Sequence, residues 1–199
     1  MTQNSLLEQR KALRKALRSK RRALTPDSQA RAAQAVADRA LAADFMPLGG
    51  HIALFMSADG EIDTAPLLEG LLALGKACYL PVLAQDTVTL QFRRYRPDRP
   101  LVTNFLGLQE PDHDADSIAP EDLNTVFMPL VGFDLAGNRL GMGKGYYDRT
   151  FAFVSADRST GPALIGLAHE CQRVEHLEAA DWDVPLGGIL TGDAFYRIR

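Results

Sequence analysis

Apolar positions recur along this chain at two spacings, and the switch between them marks out its elements. Leu6, Leu13, Leu17 and Leu24 fall at intervals of seven, four and seven, a single stripe on a helix over about 4–24. Lys11, Arg14 and Arg18 share a neighbouring face of that helix. Thr25-Pro26-Asp27 stops it and starts another: Thr25 suits a cap and Pro26 the first position of an alanine-rich helix over 26–43. The pattern then changes to short apolar runs. Residues 51–57 (HIALFMS) predict the first buried strand, followed by a turn at 58–60, a cap at Thr64 and a helix over 66–74 that ends at Gly75. Residues 76–83 predict a second strand, and 87–95 alternate in part, as an edge strand does. The Pro- and Asp-rich stretch 96–120 predicts a long surface loop. Strands are expected at 125–130, 162–168, 188–191 and 194–198, with a helix over about 145–157. Apolar strands alternating with helices imply an α/β fold with a largely parallel sheet. Ligands of such sheets bind beyond the carboxyl ends of the strands, here 56–61, 130–147 and the residues after 168.

Composition narrows the class. The chain has 199 residues, 46% of them hydrophobic, enough for a packed core in one domain or two small ones. No apolar run approaches the ~20 residues of a membrane span, and 1–24 is charged throughout, unlike a signal peptide. With only two cysteines, Cys78 and Cys171, expected as reduced thiols, a cytoplasmic protein is expected. The net charge of −3 hides an asymmetry: eight of the 22 basic side chains and one of the 25 acids fall in 1–24, leaving 14 basic and 24 acidic for the rest. A basic helix on an acidic body suits nucleic acid, an acidic membrane surface or a polyphosphate, and is also compatible with a merely solvated face.

The most specific chemistry lies between Val126 and Arg149, VFMPLVGFDLAGNRLGMGKGYYDR. An apolar strand and polar turn lead into Gly141, Gly143 and Gly145 with Lys144 among them, then Tyr146, Tyr147 and Asp148. Glycines allow backbone N–H groups to close on an anion, and a following helix start adds favourable potential. Asp148 would repel a phosphate there unless a cation intervened, which points to Mg²⁺. An ordinary glycine turn, with Asp148 complementing the helix dipole, is the plainer alternative. The pattern is neither a Walker loop, since Gly145 follows Lys144, nor the GxGxxG dinucleotide fingerprint. His169, Glu170, Cys171 and His176 match no zinc spacing. Trp182 is expected to pack, and Asp181 or Asp183 is available as a second metal ligand.

GFDLAGNRLGMGKGYYDR is very similar to the signature of 5-formyltetrahydrofolate cyclo-ligases, also called methenyltetrahydrofolate synthetases. KALR (11–14), LFMSADGEIDT and DWDVPLGGILT agree in order along essentially the whole chain. The resemblance implies one domain over 1–199, its basic helix 4–24 packed on the body. It implies a three-layer α/β sandwich with a mostly parallel sheet, similar to ribose-5-phosphate isomerase and CoA-transferase-like folds. It implies that ATP and Mg²⁺ drive cyclisation of 5-formyltetrahydrofolate to 5,10-methenyltetrahydrofolate, releasing ADP and phosphate after phosphorylation of the formyl oxygen. By the same resemblance Lys11, Arg14, Arg139, Leu140, Gly141, Met142, Gly143, Lys144, Gly145, Tyr146 and Tyr147 bind ATP. Met56, Glu61 and Met142 to Tyr146 border the folate; Asp148 and Asp183 hold the metal; Lys144, Arg139 and Tyr146 are catalytic. Relatives often carry an acid where this chain has Gly187.

The partners expected are therefore small molecules, reduced folate and ATP, for a monomer with no nucleic-acid or membrane partner. A sugar-phosphate isomerase or CoA transferase on the same scaffold, with Glu61 as nucleophile, is the alternative enzyme. A nucleic-acid-binding module using the basic helix is the non-catalytic alternative, disfavoured by the acidic body.

Overall fold

The computed structural model describes residues 3–42, 49–83, 87–154, 161–180 and 182–198. Its centre is an eight-stranded sheet in the order β12-β11-β10-β7-β1-β2-β3-β6. The strands are β1 (His51–Ala53), β2 (Ala77–Val82), β3 (Gln91–Arg94), β6 (Ser117–Ile118), β7 (Thr125–Pro129), β10 (Ala163–Leu167), β11 (Gly188–Leu190) and β12 (Phe195–Arg197). β2, β1, β7, β10 and β11 run parallel, while β3 and β12 pair antiparallel beside them. The parallel strands read as continuous apolar runs because both faces are covered. In β7, Val126 and Met128 point into one core with Leu164, Ile189 and Phe151, and Phe127 points into the other. That second core is closed by α2 (Pro26–Ala42) and α3 (Ala65–Ala73), through Val36, Ala40, Leu67 and Leu71.

Local chemistry explains the helix ends. Thr25 Oγ1 accepts the Ser28 N–H at 3.2 Å, as the cap expected for α2. Gly75 closes α3 with φ +71°, open to glycine at little cost. Thr64 does not cap α3 with its side chain; its hydroxyl donates instead to the Phe55 carbonyl at 2.6 Å, and Asp63 takes the Ala65 N–H. That bond fastens the loop after β1 to the start of α3.

Three expectations fail. The stretch 96–120 is not a plain loop: it holds a hairpin of β4 (Leu101–Thr103) and β5 (Gln109–Pro111), then β6. β6 pairs outside β3, so β3 is not at the edge. Strands of two or three residues are too short for a period to show, and what holds this excursion is tertiary: the buried Glu110 carboxylate accepts the Leu83 N–H at 3.1 Å and the Asn104 amide at 2.7 Å. The helix expected over 145–157 is only α4 (Tyr146–Thr150), followed by a turn; 155–157 lie outside the described residues.

β1 lies between β2 and β7, so the chain leaves it in opposite directions across the sheet. At such a switch point the loops after neighbouring strands splay apart and leave a crevice. Among the described residues no helix is long and apolar enough to cross a membrane.

Candidate active site

Helix α1 (Gln3–Arg22) turns its basic face inward. Leu17 is buried against Val131, Leu140 and Leu177. On the same side Arg10 reaches Asp183 at 3.2 Å, Arg14 Nε donates to the Gly141 carbonyl at 2.8 Å, and Arg21 Nη1 donates to the Leu130 carbonyl at 3.1 Å. One helix thus touches the segments that follow β7 and β10. Arg14, Arg18 and Arg21, at i, i+4 and i+7, were the available signal, and a solvated basic face is excluded for them.

The turn after β1 is held most tightly. Asp59 accepts from Arg18 at 2.7 Å, from Arg21 at 2.9 Å and from Arg22. Its backbone is left-handed, φ +56°, followed by Gly60 at φ +73°, an uncommon conformation for a side-chain-bearing residue. Burial alone would raise the Asp59 carboxyl, but the hydrogen bonds from Arg18, Arg22 and Arg21 outweigh it and bring it down to about 2. The next residue but one, Glu61, accepts the Ala58 N–H at 3.1 Å and lies 3.6 Å from Arg21. Burial pushes the Glu61 carboxyl up, against the pull of Arg21. Burial also raises the Tyr147 phenol, and the nearby Glu61 charge adds to it; Glu61 itself does not line the cleft described below. Met56 packs on the adjoining core and remains partly exposed.

Between β7 and the glycine loop stands an unforeseen hairpin of β8 (Gly132–Phe133) and β9 (Arg139–Leu140). The buried Asp134 builds its turn, accepting the Ala136 and Asn138 N–H groups at 3.0 Å and the distant Leu177 N–H at 2.8 Å. Gly141 to Gly145 follow. Gly143 has φ +98° and Gly145 φ +65°, positions where a side chain is strained, and a Cβ on Gly143 would sit 3.4 Å from the Arg14 guanidinium. Because α4 has only five residues, little helix dipole assists an anion here; the loop N–H groups and Lys144 remain for that work.

Arg139 is buried, and its guanidinium is committed to Asp148 and to the Val184 carbonyl. Asp148 Oδ1 also accepts the Val184 N–H at 3.3 Å. Asp183 Oδ2 accepts from Arg10 and from the Ala180 N–H at 2.9 Å. Among the described residues these bonds fall on one oxygen of each carboxylate, leaving Asp148 Oδ2 and Asp183 Oδ1 to a ligand. A cleft of about 610 Å³ brings together Gly143, Lys144, Gly145, Asp148 and Asp183, with Arg149, Ala152, Val154, Trp182, Val184 and Pro185. That volume is in the range of small-molecule sites. Lys11 does not reach this cleft: it is exposed, 4.0 Å from Glu8, in a basic groove shared with Arg14, Lys15, Arg18 and Arg22. Leu140 is buried, Tyr146 lies under the Arg149 guanidinium, and Met142 is half exposed at the loop tip.

Residues set aside on sequence stay outside the cleft. Glu170 bonds Thr191, Tyr196 and Arg173, and no three His, Cys, Asp or Glu among the described residues form a metal-holding group. Asp181 lies outside the described residues. The packing role expected of Trp182 is not observed: it is 66% exposed.

Comparison with known proteins identifies the family. The profile of the 5-formyltetrahydrofolate cyclo-ligase family matches residues 7–192. The chain is similar to 5-formyltetrahydrofolate cyclo-ligase of Escherichia coli (strain K12), 42% identical over 88% of this chain and 96% of that one. It is 42% identical to the cyclo-ligase of Haemophilus influenzae over 93% of this chain and 98% of that one. A solved structure of Aquifex aeolicus 5,10-methenyltetrahydrofolate synthetase superposes with a TM-score of 0.80 at 29% identity, over 96% of this chain and 93% of the other. With its strand-end cleft, its glycine loop and relatives matched nearly end to end, the chain belongs to the 5-formyltetrahydrofolate cyclo-ligase family, whose reaction is an ATP-dependent cyclisation.

Proposed function

We propose that the cleft between the glycine loop, α4 and residues 182–185 is where this chain cyclises 5-formyltetrahydrofolate to 5,10-methenyltetrahydrofolate, with ATP converted to ADP and phosphate. The observation that carries this reading is that one cleft gathers Gly143, Lys144, Gly145 and Asp148 with Asp183, which is distant in sequence. Phosphoryl transfer calls for alignment and neutralised charge more than for a protein nucleophile. Lys144 and the N–H groups of 143–145 meet the transferring phosphoryl group. Arg14, clamped to the Gly141 carbonyl, adds positive charge beside the loop; Lys11 contributes to the field at longer range. Arg139 acts by fixing Asp148 rather than by touching phosphate, since its guanidinium is already occupied.

The carboxylate oxygens of Asp148 and Asp183 that accept no bond from a described residue suit Mg²⁺, which takes one or two carboxylates along with nucleotide phosphates. The ion would neutralise phosphate charge that these acids otherwise repel. On the folate side, Glu61 accepts pterin N–H donors, with Met56 and Met142 as apolar walls and Tyr146 and Tyr147 lining the junction. The formyl oxygen takes the γ-phosphoryl group of ATP; N10 then attacks the formyl carbon, and the oxygen leaves with phosphate. The 199 residues act as one catalytic unit and as a monomer. A cytoplasmic location fits the unpaired Cys78 and Cys171.

The test is a near-UV absorbance assay of methenyl product from 5-formyltetrahydrofolate, ATP and Mg²⁺, each omitted in turn. Product should form only with all three. Asp148→Asn should abolish turnover with the fold retained; full activity in that variant would refute the metal assignment.

A further inference from the structure

Trp182 sits where an indole gains least from the protein itself. It is 66% exposed, whereas tryptophan on average buries most of its surface. Yet the described residues near it are bonded. The Asp183 N–H donates to the Ala180 carbonyl at 2.9 Å, the Ala180 N–H donates to Asp183 Oδ2 at 2.9 Å, and Arg10 holds the same carboxylate. The indole thus presents a large bare aromatic surface on the wall of the cleft that also contains Lys144 and Asp148. Ala152, Val154, Val184 and Pro185, which line the same cleft, are apolar. The cleft thus combines a cationic, glycine-lined part with an apolar part bearing one free aromatic face. A ligand matching both has a polyphosphate at one end and a flat heteroaromatic ring at the other, which is the chemistry of a nucleoside triphosphate.

We propose that Trp182 is the stacking platform for the adenine ring of ATP. The proposal rests on the placement of the phosphates at the glycine loop given above. Base–aromatic stacking needs only a π face and no hydrogen-bonded readout, which suits an indole whose surroundings are apolar. The position next to Asp183 links the two ends, since adjacent residues of the chain would serve the phosphates and the base.

Trp182 is the only tryptophan of the chain, so its fluorescence reports on this site alone. Titration of the full-length protein with ATP and Mg²⁺, without folate, is expected to give a saturable change in emission. W182A should raise KM for ATP about tenfold while kcat and KM for 5-formyltetrahydrofolate stay near wild type, and W182F should recover most of the loss. Inorganic tripolyphosphate, which has no ring, should inhibit wild type and W182A equally. Unchanged emission on saturation with ATP, or an unchanged KM for ATP in W182A, would overturn the proposal. Lys144→Ala separates the two levels: if it raises KM for ATP while W182A does not, the phosphate site stands and only the stacking role falls. If neither variant changes KM for ATP, the cleft is not the nucleotide site and both fall.

Discussion

The two halves of the site are built in opposite ways. The turn after β1 is closed before any ligand arrives: three arginines converge on Asp59, and the fully buried Arg21 also bonds the Asp59 and Leu130 carbonyls. The glycine loop is open: Met142, Gly143 and Lys144 are exposed, and among the described residues no ion pair falls on the Lys144 ammonium. A polyphosphate brings its own charge and can organise cationic groups around itself. A neutral pterin ring cannot, so Glu61, the acceptor proposed for it, has to be positioned by the protein. On the proposed assignment, the difference teaches that rigidity sits on the side whose ligand supplies the weaker field.

The largest effect that would sharpen this contrast is chemical without being structural. Lys144→Ala should lower kcat/KM by about 10²–10³-fold, with the melting temperature almost unmoved, because an exposed side chain is lost. A large loss of stability would show that the loop is not open at all. The converse holds for the turn. Asp59→Asn leaves the buried Arg21 with Glu61, 3.6 Å away, as its remaining charge partner and should cost about 3 kcal/mol, lowering the melting temperature by roughly 6–12 °C. Its KM for 5-formyltetrahydrofolate should rise more than its KM for ATP, since Glu61 stands two residues away. An equal rise in both would mean that the clamp serves the two halves alike.

Gly143→Ala should be milder. It places a side chain at φ +98°, against Arg14, at about 1–2 kcal/mol, seen as a fall in melting temperature of roughly 2–8 °C and a loss of ATP affinity. The smallest effect is a pH dependence. The Asp59 carboxyl titrates lower in the folded protein than in the unfolded chain, so its stabilisation is present above its ordinary range near pH 4 and is lost as pH falls toward 2. The difference in urea midpoint between wild type and Asp59→Asn should be constant from pH 7 to about 5 and shrink by pH 3. A difference that persisted unchanged at low pH would assign the clamp to hydrogen bonding alone.

The longer apolar runs were legible because burial on both faces writes itself as unbroken hydrophobicity; β7 and β10 fall within a residue of where the pattern places them. The glycine loop was legible too, since glycine takes its left-handed positions at the least cost. β4, β5, β6 and the β8–β9 hairpin were not, being too short to show a period and held by buried carboxylates such as Glu110 and Asp134, whose partners lie in other segments. α4 was overestimated because YYDRTFAF reads as a helix start, whereas Phe151 and Val154 turn into the core beneath the sheet.

By itself the sequence determined the class of fold, the glycine loop with its lysine and acid, and the family pattern they carry, because each depends on residues adjacent in the chain. Only the tertiary structure decided which way the basic helix faces, that Arg139 serves Asp148, that three arginines share Asp59, and that Trp182 stands bare in the cleft. Those are relations between residues 9 to 173 positions apart, and no local pattern encodes the packing that brings such residues into contact.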